Sequence, residues 1–275
     1  MPLFFKPEKP MKMIWRVQGQ ESPSWLVGTA HFFPYSFKKS LARYFQEVDT
    51  VLFEGPLDQE SLTRVAQAGH DRQAPHLFTL LDRRTIGRLA QVLGPSLREA
   101  RILGLLSLTT SAAEAYVHDL VQGMKPWMAF FTLWTYFLEK QGWRYSVDLE
   151  AYDLARERGK EIVFLETLEE QIDVLESLSR EKIVNFLKQA DRWKFYSRRY
   201  VKGYLAGDLE MLLSLTGHFP SRTAPVIQGR DHILYRRLRP FLEKGKAAAC
   251  VGAPHVPGIR QLLHHDGCLT RSEHA

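Results

Sequence analysis

Two short stretches place histidine where histidine can do chemistry. WLVGTAHFFP, from Trp25 to Pro34, and AAACVGAPHVPG, from Ala247 to Gly258, each pass from an apolar run into Gly-x-x-His and reach a proline soon after. The apolar runs are short and read as buried strands. Glycine near a strand end lets the backbone turn sharply and approach a neighbour closely, so the following histidine can point into a crevice. Two further strand-like runs, VLFEG and IVFLE, end on Glu54 and Glu166. In open α/β sheets the groups that meet a ligand project from the carboxyl ends of strands, and His31, Glu54, Glu166 and His255 all fall at such ends. Two imidazoles with one or two carboxylates form a ligand set for a divalent transition metal. Imidazole suits Zn, Mn, Co or Fe, and carboxylate adds charge compensation. A metal with an open coordination position polarises a carbonyl and lowers the pKa of bound water.

Each residue alone has a plainer reading. A histidine after a strand can be a satisfied structural residue or a turn donor, Glu54 can face solvent, and Glu166 can cap the helix that follows it. Repetition of the motif favours a joint site. His264 and His265 fall near the end of a helix and suit its dipole, while His70, His76, His118, His218, His232 and His274 have no spacing that marks them. The chain has no GxSxG nucleophile elbow, no GxxxxGK[ST] phosphate loop and no HExxH helix. Its two cysteines, Cys250 and Cys268, lack CxxC spacing and suggest ordinary reduced thiols of a cytosolic protein.

The elements that must position these groups follow from periodicity. MIWRVQG, a turn over residues 19–24 and WLVGTAHFF read as strand, turn and strand. SFKKSLARYFQEVD sets Phe37, Leu41, Tyr44, Phe45 and Val48 at helical spacing, and TVLFEG is the next strand. From Gln59 to Trp143 helix follows helix, which reads as an insertion at about 59–143 within one α/β domain spanning 1–275. SVDLEAYDLARERGK is a helix stopped at Gly159, EIVFLET a strand, and more helices lead to QGRDHILYRRLRPFLEKG, with Arg230 near its start. KAAACVG is a strand, PGIRQLLHHDG a helix and CLTR a short last strand. The expected fold class is α/β, a mixed or mostly parallel central sheet built from two half-repeats with a mainly helical middle.

Composition bounds the rest. With 275 residues, 45% hydrophobic and 25% charged, the chain can bury a substantial core and is not disordered. Its net charge of +6 concentrates in DRWKFYSRRYVKGY and YRRLRPFLEKGK, where basic residues on helices read as solvated faces beside buried aromatic stripes. No nucleic-acid motif accompanies them, so no nucleic-acid partner is expected. The opening MPLFFKPEKPMKMIW lacks the apolar core of a secretory signal, and PWMAFFTLWTYFLEK is too short to cross a bilayer, which needs about 20 apolar residues. No transmembrane segment is expected, and a cytoplasmic location is. The aromatic helix reads as buried or facing a partner, with a homo-oligomer as one such partner.

Several segments together resemble the TraB/GumN family, which is related to the Tiki metalloproteases and more distantly to ChaN and erythromycin-esterase-like proteins. The resemblance rests on LVGTAH, VLFEG, VDLEAYDLARERGKEIVFLETLEEQ, GRD before a long helix, and CVGAPHVPG. It implies a two-part α/β core and a site of both Gly-x-x-His motifs, a glutamate and an arginine, which here are His31, His255, Glu54 and Arg230. It further implies a metal-dependent hydrolase of the peptidase kind, with Mn or Co as the metal and Zn or Fe as alternatives, acting on a peptide or other small substrate. His31, His255 and Glu54 would hold the metal, Glu54 alternatively serving as general base. Arg230 would stabilise an oxyanion, and Asp148 and Glu166 would be supporting ligands. The chain departs from the pattern in carrying Asp231 after Arg230 where Asn is usual, Pro254 for an alanine, and Gly55 after the glutamate. The related ChaN branch leaves open a haem- or metal-binding protein without turnover, and a third reading is an inactive scaffold.

Overall fold

The computed structural model describes residues 8–18, 22–95 and 110–273. Residues 19–21 of the expected first turn, the opening seven residues and the stretch 96–109 of the expected helical block lie outside that range. β1 (Ile14–Val17) and β2 (Ser24–Thr29) form an antiparallel pair, then α1 (Lys38–Phe45) leads to β3 (Thr50–Phe53). α2 (Gln59–Ala68), α3 (Arg83–Leu93), α4 (Thr110–Asp119), α5 (Pro126–Lys140) and α6 (Val147–Glu157) separate β3 from β4 (Glu161–Phe164). α7 (Leu168–Glu176), α8 (Arg180–Leu187), α9 (Trp193–Ala206), α10 (Leu209–Thr216) and α11 (Ala224–Lys244) follow. The chain then forms β5 (Ala247–Gly252), α12 (Val256–His265) and β6 (Thr270–Ser272).

The strands form one sheet in the order β4-β3-β5-β2-β1-β6. β4, β3, β5 and β2 run parallel, and β1 and β6 add an antiparallel border. The fold is therefore α/β with a mostly parallel sheet. β2 and β5, which carry the two Gly-x-x-His motifs, are hydrogen-bonded neighbours, with Gly28 opposite Val251 and Thr29 opposite Gly252. That register delivers both histidines to one edge although 224 positions of sequence separate His31 from His255. β2 is buried along its whole length and β5 along all but Gly252, as central strands covered on both faces must be. The alanines of β5 let α11 pack close to the sheet.

Glycine acts here through close approach and not through a left-handed backbone, for neither Gly28 nor Gly252 has a positive φ. A Cβ on Gly28 would press on Val256 of α12 at 3.2 Å, and one on Gly252 would stand 3.2 Å from Glu54 Oε1. At α9, Trp193, Ser197, Gly203 and Tyr204 turn inward while Arg192, Lys194, Arg198, Arg199 and Lys202 stay in solvent. The buried Tyr204 hydroxyl donates to the Gly28 carbonyl at 2.7 Å, tying this distant helix to the first motif strand.

α11 corrects one expectation. Thr223 caps the helix by accepting from Val226 N–H, and a proline occupies its first turn, the position where a fixed φ and a missing N–H cost nothing. The helix therefore begins at Ala224, and Arg230 lies almost two turns inside it, away from the free amides of its N-terminus.

Candidate functional site

All four strand-end residues reach the carboxyl edge of the sheet. Glu54 directly follows β3 and Glu166 follows β4 by two positions, joined by a hydrogen bond from the Glu166 N–H to the Glu54 carbonyl at 2.6 Å. His31 follows β2, and His255 sits at the entry to α12. Glu166 does not cap the next helix: Thr167 and Glu170 do so by a reciprocal capping box.

Arg230 joins the carboxylates. Its Nε and Nη2 donate to the two oxygens of Glu166 at 2.9 and 2.6 Å, and Nη2 also donates to Glu54 Oε2 at 2.8 Å. The other Glu54 oxygen accepts from the Gly252 N–H at 2.6 Å. Burial alone would raise the Glu54 pKa, but the positive charges of His255, Arg230 and His31 and the Gly252 amide outweigh it and hold the carboxyl at about 2. For Arg230, burial opposes the charge, yet Glu54 and Glu166 raise its pKa above the ordinary arginine value.

Each histidine has a carboxylate on Nδ1. His255 Nδ1 lies 2.6 Å from Asp231 Oδ1, with both side chains buried. Nδ1 thus faces the Asp231 carboxylate, and Nε2 faces the site. Nε2 stands 3.4 Å from Arg230 Nη1 and 3.9 Å from Glu54 Oε1. Asp231 fits its place because Gly258 has no Cβ, which would collide with the Asp231 carboxylate. His31 Nδ1 lies 3.0 Å from Asp148 Oδ2, in the first turn of α6, although that oxygen has no hydrogen bond of good alignment. The contact is therefore mainly electrostatic. The Asp148 charge raises the His31 pKa to about 9 against the opposing effect of desolvation. The His31 side chain is 81% accessible to solvent and yet walled by protein, as expected of a group projecting into an open cavity.

That cavity measures about 490 Å³ and is lined by His31, Glu54, Arg230 and His255 at one end. Trp127, Phe131, Trp134, Trp143 and Phe219 form much of its wall. The aromatic helix α5 thus turns Phe130, Leu133 and Phe137 into the core and other residues toward the cavity. No helix among the described residues is long and apolar enough to cross a membrane. Arg222 and Tyr200 also line the cavity.

Sequence reasoning grouped His31, Glu54, Glu166, Arg230 and His255, and these residues border one crevice or touch those that do. Asp148 supports His31 through Nδ1, a different geometry from a ligand beside it. Asp231, Arg222, Tyr200 and Gly258 were not anticipated as parts of the site. Asp231 had a signal as the neighbour of Arg230 on a helix, whereas Arg222 lies in a loop with no periodicity to mark it.

The cluster has the donor types of a divalent-cation site but, among the described residues, not the convergence of one. Four carboxylates, Glu54, Glu166, Asp148 and Asp231, belong to a cluster with two arginines, Arg222 and Arg230, of which, among the described residues, only Arg230 pairs with any of them. With both imidazoles neutral, as a bound ion would require, the cluster would carry two negative charges in excess; in the metal-free protein the proton that His31 keeps up to about pH 9 offsets one of them. A carboxylate on the outer nitrogen is the usual support of a metal-bound histidine. Among the described residues no three His, Cys, Asp or Glu side chains yet surround a common point. The His255–Glu54 separation of 3.9 Å slightly exceeds the roughly 3 to 3.5 Å between neighbouring ligands with bonds of about 2.1 Å.

The family model described as TraB/PrgY/gumN matches residues 13–268, which includes every residue of the cluster. No curated protein matches the chain.

Proposed function

Because the chain belongs to the TraB/PrgY/gumN family, we propose that it is a hydrolase of peptide or related amide bonds that depends on a divalent metal, Mn or Co before Zn or Fe. One observation carries the reading: two imidazoles, each with a carboxylate on Nδ1, border one cavity with Glu54 and Arg230. His31 and His255 would hold the ion through Nε2, with Glu54 as the third ligand. When bound, such an ion polarises the scissile carbonyl and acidifies water.

The chain's own residues supply the rest. Asp148 and Asp231 would hold the Nδ1 side of each ring, and His31, on taking up an ion, would lose the Nε2 proton that this imidazole otherwise keeps up to about pH 9. Arg230 neutralises Glu54 and Glu166 and presents Nη1 toward His255, where negative charge developing on a carbonyl oxygen would be stabilised. A carboxylate held near pKa 2 is a weak proton acceptor, which favours the ligand role of Glu54 over the general-base role. The reaction adds the oxygen of water to the carbonyl carbon, breaks the C–N bond and sends a water proton to the departing amine.

A second reading is favoured by the absence of three converged ligands among the described residues. His255 oriented by Asp231 also has the form of a general base with its orienting carboxylate, which needs no metal. Hydrolysis of a peptide library by metal-stripped protein, with and without added Mn, separates the two. Activity that appears only with Mn supports the first reading, and equal activity in both samples replaces it with the second.

A further inference from the structure

The cavity contains a cation that the proposed chemistry does not use. Arg222, in the loop before α11, is half-buried on the cavity wall, and no carboxylate lies within ion-pair distance of it among the described residues. Its neighbour is the Tyr200 hydroxyl, a neutral partner, and desolvation depresses its pKa. Arg230, by contrast, is already paired with Glu54 and Glu166 through Nε and Nη2. A half-buried guanidinium without a counter-ion calls for an anion, and its planar fork matches a carboxylate.

Position decides what kind of carboxylate. Arg222 is close enough to influence both His31 and Glu54 electrostatically, so it stands at the reactive end of the cavity and not at its far end. The same cavity, about 490 Å³ in all, is otherwise walled mostly by aromatic and aliphatic side chains, including Trp134, Phe131 and Leu178, a volume typical of sites for compact organic ligands. A ligand that satisfies both features carries its carboxylate and its apolar body on an atom next to the scissile group. A fatty acid places the carboxylate at the end of a chain and does not branch in this way.

We propose that the site takes peptides or N-acyl amino acids that end in a large apolar residue, with the free C-terminal carboxylate on Arg222 and the side chain in the aromatic cavity. The inference rests on the hydrolase reading for turnover but not for binding. In such a substrate the last peptide C–N bond breaks, the carbonyl carbon gains the water oxygen, and the terminal residue leaves as an amino acid whose amine takes a water proton.

The test uses metal-free full-length protein and the fluorescence of Trp127, Trp134 and Trp143, which line the cavity. N-acetyl-L-phenylalanine, its C-terminal amide, N-acetylglycine and decanoate are titrated against wild type, Arg222→Gln and Arg222→Lys, with melting temperatures recorded for each variant. The acid should bind about tenfold or more tightly than the amide or N-acetylglycine, since a charge-assisted bond and a buried aromatic ring each contribute on that scale. Arg222→Gln should bring acid and amide within about threefold, while Arg222→Lys keeps part of the preference. With a cleavable N-acyl dipeptide ending in phenylalanine, Arg222→Gln should raise KM more than it lowers kcat. Equal binding of acid and amide by wild type, or tighter binding of decanoate than of the acid, would overturn the inference whether or not the protein hydrolyses anything. Preferential binding of the acid without any hydrolysis would leave this site standing and remove the hydrolase reading instead.

Discussion

Replacing Arg230 with alanine should destabilise the protein strongly in the absence of metal. The arginine makes three charge-assisted bonds, two to Glu166 and one to Glu54. Its side chain is 15% exposed, against 3% for Glu166 and 13% for Glu54. Removing it leaves two neighbouring, largely buried carboxylates without their cation. Breaking a buried pair by deleting one partner costs about 3–5 kcal/mol, because the surviving charge has lost both water and counter-ion. At roughly 2–4 °C per kcal/mol for a chain approaching this size, the melting temperature should fall by about 6–20 °C. Arg230→Lys should fall between, since one ammonium cannot reproduce the fork on Glu166 and still reach Glu54. If the cluster also accepts a divalent ion, Mn should restore more stability to Arg230→Ala than it adds to wild type, because the variant carries one more uncompensated negative charge. Calorimetry on both proteins with and without Mn reads all of this. An unchanged melting temperature in metal-free Arg230→Ala would refute the reasoning, for it would mean that the carboxylates do not depend on this cation.

Other outcomes follow from the same geometry. Asp231→Asn keeps the shape but not the charge behind His255, and should lower metal affinity or turnover about 10–100-fold, as loss of an outer-shell carboxylate typically does; titration calorimetry and kcat/KM check it. Gly258→Ala should act in the same direction, since its methyl would displace Asp231, and wild-type affinity in that variant would show that the Asp231–His255 contact is dispensable. In metal-free protein His31 should titrate near pH 9, and Asp148→Asn should move it back toward 6.5 by NMR. Because the folded-state value is raised, the His31–Asp148 pair stabilises fully below pH 6.5 and loses that contribution as pH rises through about 9, so wild type should lose its stability advantage over His31→Ala across that window. Tyr204→Phe leaves the buried Gly28 carbonyl without its donor and should cost about 1–3 kcal/mol in urea unfolding; no loss would mean that water or another donor replaces the hydroxyl.

How much of this was legible in the sequence depended on whether local pattern carried the information. The strands ending in Gly-x-x-His and in glutamate announced themselves by composition, and the rule that ligands meet strand carboxyl ends placed them together before any tertiary contact was known. The adjacency of β2 and β5 was not legible, since β-pairing of distant strands leaves no local trace. The start of α11 lies earlier than GRD suggests, because Thr223 and the proline after it cap a turn that carries no apolar spacing to mark it. Asp148 and Asp231 sit on helices whose apolar spacing explains their neighbours and says nothing about which polar residue faces a histidine. Arg222 had no pattern at all, and only the cavity shows what it faces.

The most direct test of the central claim, that the two Gly-x-x-His motifs build one metal site, is titration of Mn into metal-stripped wild type, His31→Ala and His255→Ala at pH 7.5, followed by calorimetry. The account predicts one Mn per wild-type chain and at least a tenfold loss of affinity in each single variant, with circular dichroism showing that each keeps the fold and a lower melting temperature for His255→Ala, which leaves the buried Asp231 carboxylate without its partner. Wild-type stoichiometry and affinity in either variant would contradict it.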